Sequence, residues 1–293
     1  SGMGQSSGAV SPVLGTVAVE DGKNPWGKGK KGAVSLFLAD PTECHQALGR
    51  LDESNGRSQV KEMSDAAEAL QDVLEALETC LGELDSLEEG DKGKGLIAGT
   101  FGMEVTERMR CKSCTYAMPE LSYTKFFHLA SQSQLAKTHR EATEPLSTEQ
   151  LMRQLYDTEL RACSKCSGEK GDVIFHSDHR LRRAPAVFCL QLVWDSGVVS
   201  KADISVCIGQ IPLSIDLQGV YSGLGPSRYR LRSIVCYYAK HYVLIAYRPC
   251  IKKWVLLDDS LATVVGDGGW SDVRTKCTQG CLQPLICFFQ SVK

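Results

Sequence analysis

The sequence lacks a charge excess of either sign, and this limits its partners. Its 33 Lys and Arg residues nearly balance 35 Asp and Glu residues, so the formal net charge at pH 7 is −2. Because chains that bind nucleic acid usually carry a strong basic excess, we expect no nucleic-acid partner. Hydrophobic residues make up 43% and charged residues 23% of the 293 residues, which is the composition of a globular protein rather than a disordered one.

The sequence also has no long apolar run. No stretch approaches the roughly 18 uncharged apolar residues that a membrane-spanning helix needs. The first residues lack the basic-then-apolar order of a signal peptide. We therefore expect no membrane partner and an intracellular location, in the cytoplasm, the nucleus or both.

Cysteine, in contrast, is abundant, with 13 residues. An odd number without a secretion signal favours reduced thiols or metal ligands over a framework of disulfides. Nine cysteines stand alone or in loose pairs, and most of these are predicted to pack as small buried hydrophobic residues. They are Cys44, Cys80, Cys189, Cys207, Cys236, Cys250, Cys277, Cys281 and Cys287.

Local patterns predict an α+β chain. Residues 1–33 are rich in Gly, Ser and Lys and are predicted to form a disordered, low-complexity segment. Apolar residues at steps of three and four, Leu70 and Leu77 among them, predict a helix over residues 64–88 with these side chains buried. Residues 147–160 are predicted to form a shorter helix that begins at Ser147 or Thr148. Because strands follow the first helix, the pattern favours α+β over a doubly wound sheet. The strands are predicted over residues 96–106, 186–194, 229–238, 241–247, 254–257 and 282–289.

Two Cys-x-x-Cys pairs predict a metal site. Cys111 and Cys114 form the first pair, and Cys163 and Cys166 form the second. Four thiolates in two such pairs suit one tetrahedral Zn²⁺, and because the protein fills all four positions the ion would be structural. The alternative is two unrelated redox or surface pairs. His176 and His179 lie nearby in sequence, but four cysteines already complete the coordination shell.

A histidine and an acidic pair form the second candidate site. His241 begins one apolar strand, and Asp258 and Asp259 end the next, so a hairpin would bring them close. Asp258 could then accept a hydrogen bond from Nδ1 of His241 and turn the other ring nitrogen towards a nucleophile. The alternative is a surface histidine and an unrelated turn aspartate.

Taken in order, five pieces of the chain resemble the ubiquitin-specific protease family of cysteine deubiquitinases. The resemblance covers residues 34–289 and is nearest to a divergent branch that is often labelled inactive. The pieces are the helix at 64–70, the two Cys-x-x-Cys pairs, the strand at 185–192, the histidine box at 241–259 and the closing strand at 283–289.

The resemblance implies a papain-like fold. Residues 34–95 would form a partial helical thumb and part of the palm, residues 96–180 zinc-ribbon fingers, and residues 181–293 an antiparallel β palm with the histidine box. It also implies that ubiquitin or ubiquitinated proteins are the partners, and that a cysteine thiolate attacks the carbonyl of the C-terminal glycine of ubiquitin. In this scheme His241 is the base, Asp258 orients it, and Asp259 is structural.

The chain departs from the family in the nucleophile. The family cysteine lies in an Asn-x-Cys-(Tyr/Phe)-x-Asn-(Ser/Ala) box, and this sequence contains no such box; Cys44 lacks both the neighbours and the position. Ala239 and Lys240 also replace the glycine-rich pair that usually precedes the histidine. We therefore expect this chain alone to be inactive.

Three interpretations remain open at this point. In the first, the nucleophile lies upstream of Ser1. In the second, the protein is a catalytically inactive ubiquitin-binding or scaffolding protein. In the third, it is a zinc-ribbon interaction module with an accidental His/Asp pair.

Overall fold

A computed structural model of the chain describes residues 16–21, 31–35, 66–85, 95–166, 172–195, 199–259 and 261–292. The helices in this part are α1 Ala66–Asp85, α2 Leu96–Phe101, α3 Gln132–Glu141, α4 Thr148–Asp157, α5 Lys201–Gln210 and α6 Trp270–Gly280. None of these helices combines the length and the apolarity that a membrane span requires.

The strands form two sheets. The large sheet has the order β2-β1-β13-β12-β11-β10-β14-β8-β5, with β9 beside β10, and the small sheet has the order β4-β3-β7-β6. Neighbouring strands are antiparallel except for the pairs β1/β13 and β5/β8. The strands are β1 Thr16–Asp21, β2 Lys31–Ser35, β3 Met103–Cys111, β4 Leu121–Lys125, β5 Phe127–Ser131, β6 Thr158–Ala162, β7 Asp172–Arg183, β8 Val187–Val193, β9 Ser214–Asp216, β10 Arg228–Tyr238, β11 His241–Arg248, β12 Lys253–Asp258, β13 Leu261–Val264 and β14 Gln283–Ser291.

Helices cover both faces of the large sheet. Helices α3 to α6 pack on one face, where Leu151 and Val273 join Ile234 and Ile245 in the main core. Helices α1 and α2 pack on the other face through a smaller apolar cluster that contains Ala67, Leu74, Ile97 and Ile286. The alternation of buried residues along β10 and β11 therefore divides the sheet between two cores.

Helix α1 confirms the longest predicted helix, but the side chains that it buries differ from those expected. Ala67 and Leu74 are 3% exposed, whereas Leu77, which the spacing placed on the buried side, is 44% exposed. The packed stripe is thus rotated by about one residue from the predicted one. The remaining residues of the predicted span 64–88 lie outside the described part.

The strand predicted over residues 96–106 is wrong in its first half, where Leu96–Phe101 forms helix α2. The helix ends at Gly102, whose N–H donates to the carbonyl of Ala98 at 2.8 Å, and β3 starts at the next residue. A short apolar run fits a buried helix turn as well as a strand, and the packing of Ile97 beneath α1 decides in favour of the helix.

The second predicted helix begins as expected and ends early. Gln150 N–H donates to the Ser147 hydroxyl at 3.3 Å, and Ser147 N–H donates to the Gln150 side chain at 2.8 Å, so Ser147 is the cap. Helix α4 ends at Asp157, and β6 begins at Thr158.

Other elements were not foreseen. Helices α3, α5 and α6 lie among the strands, so the order of one helical part followed by strands is incomplete, although the α+β class holds. Strand β1 and the first residues of β2 fall inside the segment predicted as disordered. The other residues of 1–33 lie outside the described part.

A polar and aromatic cluster joins the small sheet to the large one. Lys125, the last residue of β4, places its ammonium 4.9 Å from the ring centre of Tyr156, 5.6 Å from that of Tyr221 and 6.0 Å from that of Tyr123. Beside them, His128 Nδ1 and the Tyr221 hydroxyl are 2.6 Å apart in a hydrogen bond between two fully buried side chains. Residues of both sheets therefore meet around one half-buried lysine.

Candidate functional site

The structure brings His241 and Asp258 together on adjacent strands. His241 is the first residue of β11 and Asp258 is the last residue of β12, in a pairing where Leu244 lies opposite Leu257. On this register the two side chains are diagonal neighbours on one face. His241 Nε2 lies 2.6 Å from Asp258 Oδ1, which is a short, charge-assisted hydrogen bond.

The ring nitrogen of His241 that bonds to Asp258 is not the one expected. We expected Nδ1 to face the carboxylate, but the structure places Nε2 there. An ionised carboxylate only accepts, so Nε2 carries the hydrogen and donates it. In the neutral ring Nδ1 then keeps its lone pair, and Nδ1 is the nitrogen that can take a proton from an incoming thiol.

Asp259 lies at the edge of the site. Its Oδ1 is 3.8 Å from His241 Nε2, and its side chain is 82% exposed, against 30% for Asp258. Its backbone has a φ of 47°, which turns the chain out of β12. Asp258 is therefore the principal partner of His241. The three side chains also lie within 4.8 Å of one another, but Nε2 is already occupied by Asp258.

The turn before His241 is tight and contains no glycine. Tyr238 on β10 pairs directly with His241 on β11, so only Ala239 and Lys240 connect the two strands. Their φ values are 46° and 66°, which is the left-handed conformation that a two-residue hairpin of this kind requires. For residues other than glycine this conformation costs about 1–2 kcal/mol each. The strain lies next to the histidine.

Tyr238 belongs to this site and was missed by sequence reasoning. Its hydroxyl donates to Asp258 Oδ2 at 3.4 Å, and its ring meets that of His241 edge-on at 5.8 Å. The negative charge of Asp258 raises the pKa of Tyr238. The sequence contained a signal for this contact. When only two residues separate two apolar strands, the residues before and after the turn pair across the strands, which places Tyr238 beside His241.

The described cysteines offer no partner for His241. In this part of the chain no cysteine sulfur makes a hydrogen bond with His241. Burial raises the pKa of Cys189 to about 12 and moves that of Cys207 in the same direction. Like these two, Cys236, Cys277 and Cys287 are at most 2% exposed.

The other lone cysteines divide into two groups. Cys250 and Cys281 are exposed and are the exceptions, in the described part, to the interior packing predicted for most of the nine. Cys250 follows the far end of β11, about 25 Å from His241 at the usual rise per strand residue. Cys44 and the side chain of Cys80 lie outside the described part.

The four paired cysteines form a compact cluster in the small sheet. Cys111 ends β3, Cys163 follows β6, and all four sulfurs lie within 4.8 Å of one another. The contacts run between the pairs, with Cys111 Sγ 3.6 Å from Cys166 Sγ and Cys114 Sγ 3.6 Å from Cys163 Sγ. Four sulfurs about 2.3 Å from a tetrahedral Zn²⁺ would be about 3.8 Å apart, so the cluster can hold a metal ion of that size.

The electrostatics of the cluster favour a cation. Desolvation acts to raise the pKa of Cys111, but hydrogen bonds with the backbone of Cys114 and Ser113 and with the side chains of Cys166 and Cys114 together lower the pKa to about 6. Hydrogen bonding with Cys114, followed by desolvation, raises the pKa of Cys166 to about 12. A cation between the four sulfurs would stabilise their thiolate forms, because metal binding requires deprotonated cysteines.

His176 and His179 remain outside this cluster. Both lie on β7, where His176 is opposite Arg110 and His179 is opposite Glu107. His179 Nε2 is 3.8 Å from the Glu107 carboxylate, and its ring packs 4.8 Å from that of Tyr156. Among the described residues, neither of the two groups of side chains that could hold a metal ion includes His176 or His179.

Comparison with known proteins identifies relatives of the chain. A family model described as ubiquitin carboxyl-terminal hydrolase matches residues 37–283. "Ubiquitin carboxyl-terminal hydrolase 54" of Mus musculus is 26% identical over 256 residues, which cover 83% of this chain and 16% of that protein. "Ubiquitin carboxyl-terminal hydrolase 53" of Homo sapiens is 24% identical over 256 residues, which cover 83% of this chain and 23% of that protein. The chain thus spans less than a quarter of the length of these relatives.

A solved structure shares the fold. The SAGA DUB module of Ubp8, Sgf11, Sus1 and Sgf73 bound to ubiquitin aldehyde matches with a TM-score of 0.57 and 13% identity, over 90% of this chain and 57% of the matched chain. At this identity the likeness concerns the fold alone. It confirms the expected α+β, papain-like architecture.

Proposed function

Because the chain belongs to the ubiquitin carboxyl-terminal hydrolase family, we propose that it forms the ubiquitin-binding body and the histidine–aspartate half of a cysteine-type deubiquitinating site. The observation that carries this proposal is the 2.6 Å hydrogen bond from His241 Nε2 to Asp258, which leaves Nδ1 as a base. We expect this chain alone to be inactive, because no cysteine among its described residues makes a hydrogen bond with that base.

The proposed chemistry divides between a thiol and this pair. A thiol gives its proton to Nδ1 of His241 and attacks the carbonyl carbon at the C-terminus of ubiquitin. The protonated ring then gives the proton to the leaving lysine amine as the bond to it breaks. Asp258 keeps the ring in the required tautomer and stabilises its positive charge.

The small sheet corresponds to the zinc-stapled fingers of the proposed site. One structural Zn²⁺ held by Cys111, Cys114, Cys163 and Cys166 would clip the end of β3 to the end of β6. It would stabilise a sheet whose own apolar cluster is small. An ion enclosed by four protein sulfurs has no open position, so it takes no part in the hydrolysis. Reduced thiols of this kind fit an intracellular location.

A thiol supplied from solution tests the proposal. The chain is mixed with a ubiquitin C-terminal thioester and a small thiol, and the rate of thiol exchange is measured. General-base catalysis contributes about 10²–10⁴-fold when the reactants are positioned, so for a freely diffusing thiol we expect about tenfold acceleration over His241→Ala. Asp258→Asn should lose most of this acceleration. His176→Ala, an exposed histidine in the small sheet, should keep it.

A second candidate function is binding of ubiquitin without any role in hydrolysis. The strained Ala239–Lys240 turn and the absence of a thiol partner for His241 in the described part favour it. It predicts that the chain binds ubiquitin while His241→Ala exchanges thiols as fast as the unchanged chain. A folded chain that binds no ubiquitin in a titration contradicts both functions.

An electrophilic ubiquitin probe tests whether the chain carries its own nucleophile. Ubiquitin with a thiol-reactive C-terminal group should leave this chain unlabelled. Labelling of a cysteine such as Cys281 would show that the chain carries its own nucleophile, and peptide mapping would identify it. The matched variant Cys281→Ser would then remove the labelling.

A further inference from the structure

The Ala239–Lys240 turn fixes how Tyr238 meets the candidate site. Because only two residues join β10 to β11, Tyr238 and His241 close the hairpin as a direct pair, with both side chains on one face of the sheet. Tyr237, the preceding residue, points to the opposite face, where its ring packs 5.1 Å from that of Tyr242. Adjacent tyrosines of one strand therefore have different surroundings.

Tyr238 contacts both members of the pair. Its hydroxyl donates to Oδ2 of Asp258, while Oδ1 accepts from Nε2 of His241, so each carboxylate oxygen has its own donor. The edge of the Tyr238 ring lies against the imidazole. Asp258 needs such a restraint because it is the last residue of β12 and is followed by a residue with positive φ.

We propose that Tyr238 is a positioning residue, which holds the Asp258 carboxylate in the rotamer that keeps the hydrogen of His241 on Nε2. This inference rests on the proposed function of the His241–Asp258 pair. Without the tyrosine hydroxyl the carboxylate can turn about its side-chain bond. Nε2 then exchanges among Asp258, Asp259 and water, and the lone pair on Nδ1 is no longer maintained.

Histidine side-chain NMR tests this role. The chain, labelled with ¹⁵N-histidine, is measured at about pH 9, where an ordinary imidazole is neutral. The spectrum of His241→Gln identifies the His241 signals among those of the 6 histidines. In the unchanged chain we expect two well-separated nitrogen shifts, with the hydrogen on Nε2.

Tyr238→Phe removes the hydroxyl and keeps the ring. We expect the separation between the two His241 nitrogen shifts to fall by at least half, as the two tautomers mix. Tyr237→Phe, which removes the same atom on the other face, should leave the separation unchanged. An unchanged separation in Tyr238→Phe overturns the inference, and so does an equal loss in both variants.

The same spectra separate this inference from the proposed function. Asp258→Ala, which leaves no acceptor for Nε2, should abolish the tautomer preference whatever Tyr238 does. If the unchanged chain already shows mixed tautomers, the proposed pair itself is wrong. If Asp258→Ala mixes them and Tyr238→Phe does not, the pair stands and only the role of Tyr238 fails.

Discussion

Replacement of Lys125 by methionine tests whether the junction between the two sheets buries an unfavourable charge. Lys125 lies among the rings of Tyr123, Tyr156 and Tyr221. Methionine has a similar length and no charge, and it adapts to irregular cavities. The Tyr156 hydroxyl, which is 3.3 Å from the ammonium, keeps a second partner in the carbonyl of Leu129 at 3.4 Å.

The magnitude follows from the pKa of Lys125. Desolvation lowers this pKa from 10.5 to about 8, against a smaller opposing influence of Glu107. At pH 7 the difference between the pKa values of Lys125 in the unfolded and the folded chain corresponds to about 3 kcal/mol of lost folding stability. Attraction of the Lys125 ammonium to the aromatic rings offsets about 1–2 kcal/mol of this loss. We therefore expect Lys125→Met to raise the free energy of unfolding at pH 7 by about 1–2 kcal/mol.

The two pKa values of Lys125 also determine how the folding stability changes with pH. Between pH 8 and 10.5 the unfolded chain binds more protons at Lys125 than the folded chain does, so the stability of the lysine form rises with pH. Below pH 8 both states are protonated and the full penalty applies. At about pH 9.5 the penalty falls to about 1.5 kcal/mol, so the advantage of the methionine variant should largely disappear.

Urea unfolding followed by tryptophan fluorescence at pH 7 and at about pH 9.5 measures both quantities. Other titrating groups are shared by the two forms and cancel in the difference. Lys137→Met is the control, because the Lys137 side chain is 68% exposed and should give no change at either pH. A methionine variant less stable than the lysine form at pH 7, or a difference independent of pH, refutes the reasoning.

Three further predictions concern the metal cluster, the turn and the junction. Cys111→Ser should lower the zinc content, measured by elemental analysis, from about one ion per chain to none, while Cys250→Ser should retain it; retention in both would exclude the cluster as the site. Ala239→Gly should raise the urea-unfolding free energy by about 0.5–1 kcal/mol, because glycine adopts the φ of 46° without strain but loses more freedom on folding. A loss of stability in that variant would show that the turn is unstrained. Tyr221→Phe should cost about 1–3 kcal/mol in the same assay, because it leaves His128 Nδ1 buried without its partner at 2.6 Å, and a neutral result would mean that the bond contributes nothing.

The sequence predicted the strands around the candidate site well, because their patterns are local. Strands β10, β11 and β12 follow the alternation of β-branched and aromatic residues, and the short turns between them imply the hairpins. That was enough to place His241 near Asp258. The choice of Nε2 over Nδ1 was beyond sequence reasoning, because it depends on how the ring rotates after the strands have paired.

The helices that the sequence predicted wrongly or missed depend on packing between distant parts of the chain. Leu96–Phe101 is apolar enough for either a strand or a helix turn, and its contact with α1 selects the helix. Helix α6 buries only Val273 and Cys277 and carries polar residues between them, so its periodicity is weak in the sequence. The cap in its first turn, Asp272 accepting from Gly269 N–H at 3.0 Å, was the remaining local signal.

The two candidate sites lie in different sheets, and under the proposed function this separates catalysis from recognition. His241 and Asp258 depend on the pairing of β11 with β12, whereas the cysteine cluster depends on β3 and β6. The sheets meet at the cluster around Lys125, which contains neither site. Loss of a nucleophile would therefore remove no contact within the small sheet or its cysteine cluster, and under the proposed function a chain without one would still present an intact surface to ubiquitin. Metal content, ubiquitin affinity and thiol exchange should consequently respond to different substitutions: Cys111→Ser should weaken ubiquitin binding, whereas His241→Ala should leave it unchanged and abolish only the exchange. A His241→Ala chain that loses ubiquitin affinity would contradict this separation.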